Sequence, residues 1–185
     1  MRKSILLLMS IMVIVACQKQ SNINKNFNCN IENHKDVKQY TDFNKNFKIK
    51  IPSHFNTSLY YSSHQSEIFT ADTTKQLSES FILKTSFNHG EIDFNNDFYH
   101  KTDSLIKRNN FELVSSKNDI IKEKNAYWYV VKGIKKEFTY HQLNLILKLS
   151  TNTYFSATTD LYGENNINER ICASLSIFKT IEFFE

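Results

Sequence analysis

One proline and three glycines among 185 residues leave little room for motifs in which a ligand lies against bare backbone. A phosphate-cradling loop and a G-x-S-x-G nucleophile elbow both need closely spaced glycines, and neither pattern occurs. No apolar run reaches the roughly 20 residues needed to span a bilayer. The longest, Ile5 to Val15, is interrupted by Ser10. Six histidines are present (His34, His54, His64, His89, His100 and His141), without HxH, HExxH or a Cys/His zinc spacing, so neither a metal site nor a cofactor is expected. The basic excess is only +4, and two of those charges, Arg2 and Lys3, sit at the extreme N-terminus. No basic stripe accompanies it, which argues against a nucleic-acid partner.

Aromatic residues, by contrast, are plentiful, with fifteen Phe and nine Tyr. With 41% hydrophobic residues they supply one substantial core and exclude a disordered or low-complexity chain. The N-terminus has the charged, apolar and small-residue order of a secretory signal. Its last four residues, Ile14-Val15-Ala16-Cys17, resemble the lipobox of bacterial lipoproteins, in which the chain is cut before a lipid-bearing cysteine. The resemblance implies a signal peptide over residues 1–16 and lipidation of Cys17. No Asp follows that cysteine, which by similarity to lipoprotein sorting rules points to the periplasmic face of the outer membrane, and no acidic cluster marks it for surface export.

Cys29 and Cys172 remain, an even pair in a compartment that permits disulfides. They either bridge the N-terminal segment to the last helix or stand as two free thiols. Residues 17–39 are polar and Asn-rich and read as a lipidated cysteine followed by a flexible tether, with a reach of roughly 25 Å. The globular domain is expected over residues 40–185.

Within that domain, Phe43, Phe47, Ile49 and Ile51 alternate with Lys48 and Lys50, a half-buried strand that Pro52 ends. Further strands are expected at 66–71 and 81–87. A helix follows over 94–108, with Phe94, Phe98, Thr102, Leu105 and Ile106 on one face and Lys107 and Arg108 at its negative end. A meander of strands is expected at 111–114, 120–121, 126–131, 138–149 and 154–161. A closing helix over 164–178 presents Ile167, Ile171, Leu175 and Phe178.

This order is similar to the PsbP-like family, whose members open on Phe-x-Ile-x-Ile-Pro, here Phe47 to Pro52, with an aromatic three residues on, here Phe55. The closing Ser176-Ile177-Phe178 loosely matches the family's last segment. The resemblance implies an α+β fold: an α/β/α sandwich with a central antiparallel sheet flanked by two helices. It also implies binding and assembly rather than catalysis, because the family includes bacterial lipoproteins and a eukaryotic protein that binds a small GTPase.

The expected function is a membrane-anchored envelope lipoprotein, not an enzyme, that assembles with a protein partner. The alternative is a small-molecule or lipid-binding module with a cleft between sheet and helix, lined by Phe98, Leu105 or Tyr140. A hydrolase would need His, Ser or Cys, and a carboxylate meeting in one cleft. Tyr60-Tyr61 and Tyr127-Trp128-Tyr129 are candidate exposed aromatics, though alternation forbids Trp128 from sharing a face with its neighbours. The acidic and histidine residues His89, Glu91, Asp93, Asp97, His100 and Asp103 read as a solvated turn and helix start.

Overall fold

The computed structural model describes residues 22–30 and 34–184, so the lipobox and Cys17 lie outside the described residues. In chain order the elements are α1 (Asn22–Asn26), β1 (Val37–Thr41), β2 (Phe47–Pro52), β3 (Asn56–Tyr61), β4 (Gln65–Ala71), β5 (Ile82–His89) and α2 (Asn96–Arg108). The second half contains β6 (Glu112–Ile121), β7 (Lys124–Lys135), β8 (Phe138–Lys148), β9 (Thr153–Tyr162), α3 (Ile167–Phe178) and β10 (Glu182–Phe183). Seven strands form an antiparallel sheet in the order β3-β4-β5-β9-β8-β7-β6, and β1-β2-β10 form a small second sheet.

Alternation along the strands gives the large sheet two unlike faces. Ile68, Leu83, Phe155, Ala157, Leu143, Leu145, Leu147 and Trp128 point one way into the core. Phe47, Ile49 and Ile51 of β2 and Ile171, Leu175 and Phe178 of α3 close over them. Phe47 meets Phe155 edge-on at 5.1 Å, and Thr159 donates to Ser174 of α3 at 3.0 Å. On the opposite face α2 packs through Phe98, whose ring lies 5.4 Å from Tyr127. The result is the α+β, α/β/α arrangement of a central antiparallel sheet with helices on both faces.

Several boundaries differ from the sequence pattern, each for a local reason. The first expected strand starts at Phe47 rather than Phe43, because the buried Asp42 carboxylate accepts from the backbone N–H of Asn46 (2.6 Å) and Phe47 (2.7 Å). That turn places Lys45 in the left-handed region and turns Phe43 out to solvent. β3 carries no period in the sequence, because its last four residues are exposed in succession and show no alternation. α2 begins at Asn96, capped by the Asn95 side chain accepting from Phe98 N–H at 3.0 Å. The two fragments expected at 111–114 and 120–121 form one strand, β6, with a register shift between Leu113 and Ser115. Its central polar residues lie on an edge that water reaches.

The largest correction concerns the tether over 17–39. Residues 22–29 belong to the folded domain: Ile23 and Cys29 are core residues, and Phe27 packs 5.9 Å from Trp128. The Asp119 carboxylate accepts from Ile23 N–H at 3.0 Å and from the Asn22 amide at 3.2 Å. Cys29 is joined to Cys172 of α3 by a disulfide. Three apolar groups spaced among asparagines carry no periodic signal, yet each fills a place that only the completed core offers.

The hairpins β6–β7 and β7–β8 turn on Lys122-Glu123 and Lys136-Glu137, all four at positive φ. Two-residue loops of this kind favour Asn-Gly, because side chains other than glycine resist the left-handed region. The double substitution Lys136→Asn with Glu137→Gly is therefore expected to stabilise the protein by about 1 kcal/mol. A urea midpoint at or below that of the parent would show that the charged pair is held there by contacts worth more than the strain.

Candidate functional site

The large sheet has two free edges, and they are built differently. β6 carries Glu112, Lys117 and Asp119 and a bulge, the usual devices against unwanted strand pairing. β3, Asn-Thr-Ser-Leu-Tyr-Tyr, has no charge, proline or bulge. Among the described residues, no backbone hydrogen bond reaches its outer edge. Leu59, Tyr60 and Tyr61 are exposed on it. Tyr61 and Phe43, 61% and 57% exposed, stack face to face with ring centroids 3.8 Å apart and 2° between planes. Two large rings stacked in solvent beside an unprotected edge are suited to becoming the buried anchor of an interface.

The other end of β3 opens on a cleft of about 700 Å³. Its floor is Phe55, Phe81, Ala173 and Ile177, and its rim carries His34, His54, Lys75, Glu79 and Glu169. Asp72 lies beneath the rim, 3.5 Å from His54 Nε2 and 3.9 Å from Lys75 Nζ. Burial pushes the Asp72 carboxyl up, but the hydroxyl and N–H of Thr74, with His54 and Lys75, outweigh it and hold the group below its ordinary value. It remains a carboxylate at neutral pH.

Arg170 closes the back of the cleft, buried, and every hydrogen bond it makes among the described residues goes to a carbonyl. Nε donates to Ser80 O at 2.7 Å, Nη1 to Tyr162 O at 3.0 Å and Asn165 O at 3.2 Å, and Nη2 to Leu77 O at 3.0 Å and to Ser80 O. The guanidinium thus ties residues 77–80 to residues 162–165 across the cleft.

His54 has Asp72, and His34 Nε2 lies 2.8 Å from the Ser176 hydroxyl, so both histidines of the cleft are engaged. The two pairs do not merge into a triad. Ser176 donates to Ala173 O, and no serine bonds His54 among the described residues. His141 is buried beside Glu164, and burial lowers its pKa more than Glu164 raises it. His64 bonds Ser63 at 2.7 Å, and His89 meets Phe87 edge-on. Asp93, in the acidic stretch before α2, is paired with Lys148. Among the described residues, no three His, Cys, Asp or Glu side chains converge in a way that could hold a metal ion.

The cleft lined by Phe98, Leu105 and Tyr140 does not form. Phe98 packs against Phe94 and Tyr127, Leu105 faces solvent, and Tyr140 is wholly buried. Tyr140 donates to Asp160 at 2.6 Å and accepts from Gln142 at 2.6 Å. Burial, then the bond to Asp160, pushes its phenol far up, so it stays a protonated donor. The aromatic candidates divide: Tyr127 and Trp128 are core, while Tyr60 and Tyr61 are exposed. Phe43 was missed as a surface residue because its spacing from Phe47 fits a strand. The Asn44-Lys45-Asn46 sequence beside it, rich in turn formers, was the available signal.

No family model and no curated protein matches the chain in sequence. Solved structures do resemble it. The cyanobacterial PsbP protein CyanoP of Synechocystis aligns with a TM-score of 0.54 at 11% identity, over 84% of this chain and 97% of that one. A form of the protein Mog1 gives 0.53 at 8% identity, over 80% and 96%. A protein of Bacteroides thetaiotaomicron gives 0.51 at 12%, over 80% of this chain and 48% of its own length. At such identities the likeness concerns backbone arrangement alone. The chain has the PsbP-like fold.

Proposed function

We propose that this protein is a non-catalytic lipoprotein of a bacterial cell envelope, anchored through lipid on Cys17, whose domain binds a protein partner along β3. The observation that carries the reading is the contrast between the two sheet edges. The β6 edge has charge and a bulge against pairing, whereas the β3 edge has neither and displays a stacked aromatic pair. A partner strand added to β3 would gain main-chain hydrogen bonds, with Phe43 and Tyr61 setting specificity. The anchor rests on the lipobox Ile14-Val15-Ala16-Cys17, and the outer membrane on the absence of Asp after it.

A photo-crosslinking residue at Tyr60, in the native cell, tests the reading. A discrete adduct with one protein is expected. The variant Leu59→Lys, which puts a charge on the edge at a half-exposed position paired with Ile68, is expected to reduce its yield about tenfold while lowering thermal stability only slightly. An adduct indifferent to Leu59→Lys, Phe43→Ala and Tyr61→Ala together would sink the edge as the binding surface. The cleft under Arg170 supports a second reading, as a site for a small polar molecule, since Asp72, His54 and Lys75 converge there above an apolar floor.

A further inference from the structure

The N-terminal segment does more than complete the core: it fixes where residue 22 sits on the domain. Asn22 is held to Asp119 of β6, and Cys29 to Cys172. Only five peptide steps separate Cys17 from Asn22, at most roughly 18 Å fully extended. If residues 22–29 were tether, that distance would be several times longer and the domain would tumble freely. Held as it is, the β6–β7 end must lie within a short reach of whatever Cys17 is attached to.

That end has the surface composition of a headgroup contact. Ile120 follows Asp119 and is 67% exposed, among the most exposed large apolar side chains described. Lys122, Lys124 and Lys179 are exposed at the same end, as is Lys117, which pairs with Trp128 and so points to the other side of the sheet from Ile120. Lys122 Nζ donates to Lys179 O at 2.9 Å and so brings the end of α3 to the same corner. The nearby acids are fewer. Asp119 is engaged by the N-terminal segment, Glu182 is paired with Lys48 at 2.8 Å, and Glu123 stands at the hairpin tip. Although its side chain is largely exposed, desolvation of the Lys122 ammonium where it meets α3 pushes it below its ordinary value, and Glu182 opposes that shift.

We infer that the β6–β7 corner, Ile120 with Lys122, Lys124 and Lys179, rests on an anionic lipid surface and holds the domain in one orientation. The inference rests on the reading of Cys17 as the lipid-bearing residue. Ile120 enters the interface between headgroups and acyl chains, while the lysines meet lipid phosphates. Each lysine near such a surface is expected to change association about fivefold. The two edges then serve different partners, since β3 lies across the whole sheet from β6.

The opposite tip of β7 provides an internal control, because its 12 residues put the β7–β8 turn roughly 36 Å from the β6–β7 turn. The full lipidated protein would be placed in vesicles of phosphatidylethanolamine with about one-third phosphatidylglycerol. An environment-sensitive fluorophore would be attached at Ile120→Cys or, separately, at Phe138→Cys. The label at position 120 is expected to shift to the blue and be quenched by a headgroup-borne quencher. The label at position 138 is expected to report water. Lys124→Glu with Lys179→Glu, or vesicles without phosphatidylglycerol, should reduce the position-120 signal several-fold. Flotation and mass spectrometry of the same sample report lipid on Cys17. A lipidated, floating protein whose position-120 label stays in water would overturn the docking corner and leave the anchor standing. Absence of lipid on Cys17 would overturn the anchor, and the orientation with it.

Discussion

Replacing Cys29 and Cys172 together with alanine is expected to lower the stability of the domain by about 4 kcal/mol, the largest effect of any change short of gutting the core. The bond joins residues 143 apart in sequence. Closing a loop of that length in the unfolded chain costs roughly 5 kcal/mol of entropy, and measured losses in native proteins run about 2–5 kcal/mol. For a chain of this size the melting temperature should fall by roughly 10 °C. Alanine avoids placing a hydroxyl at position 29, where the native sulfur is buried. α1 has only five residues and cannot persist alone, so once the bond is gone it depends on Ile23 and on the Asp119 carboxylate. Trypsin should then cut after Lys25, which the native fold protects by fixing the segment. A melting temperature that moves by less than about 2 °C on either substitution or reduction would mean that the segment holds itself without the bond.

Arg170→Met is expected to cost about 3 kcal/mol, although methionine nearly conserves the volume of the side chain. Five donors would be lost from four carbonyls, those of Leu77, Ser80, Tyr162 and Asn165. An orphaned buried acceptor costs about 1–3 kcal/mol, and some of these carbonyls would recover water from the cleft. Arg170→Lys should restore less than half of the loss, since one ammonium cannot span a fork of carbonyls on two segments. The guanidinium stays charged although burial lowers its pKa, which suits a cation bound only to carbonyl dipoles. The check is chemical denaturation of the three proteins, with amide exchange at residues 77–80 as the local readout. Equal stability of the parent and the methionine variant, with unchanged exchange at Ser80, would show that the two segments are held apart from Arg170.

The disulfide and Arg170 also show what a single sequence conceals. The β8 strand was legible because Leu143, Leu145 and Leu147 recur at every second position, with Tyr140 and Ile146 on the other face. α2 and α3 were legible from apolar spacing and from end residues such as Lys107 and Arg108. β3 was not, because an edge strand exposed on both faces has no hydrophobic period. Nor was the packing of residues 22–29, since Ile23, Phe27 and Cys29 find their partners about a hundred residues away or more. Arg170 read as a charged residue on a helix, and nothing local announces that four carbonyls surround it.

By itself, then, the sequence determined the α+β class, the main strands and the two principal helices, because period and end chemistry act within a few residues. It also left Cys29 and Cys172 as the candidate pair, on the expectation that Cys17 carries lipid. Tertiary structure alone decided that they do pair, that residues 22–29 belong to the folded domain, and that Phe43 stacks in solvent on Tyr61 while Trp128 is buried. The physical reason is common to all three. Burial belongs to the assembled surface, and no residue carries in its own neighbourhood the contacts that will cover it.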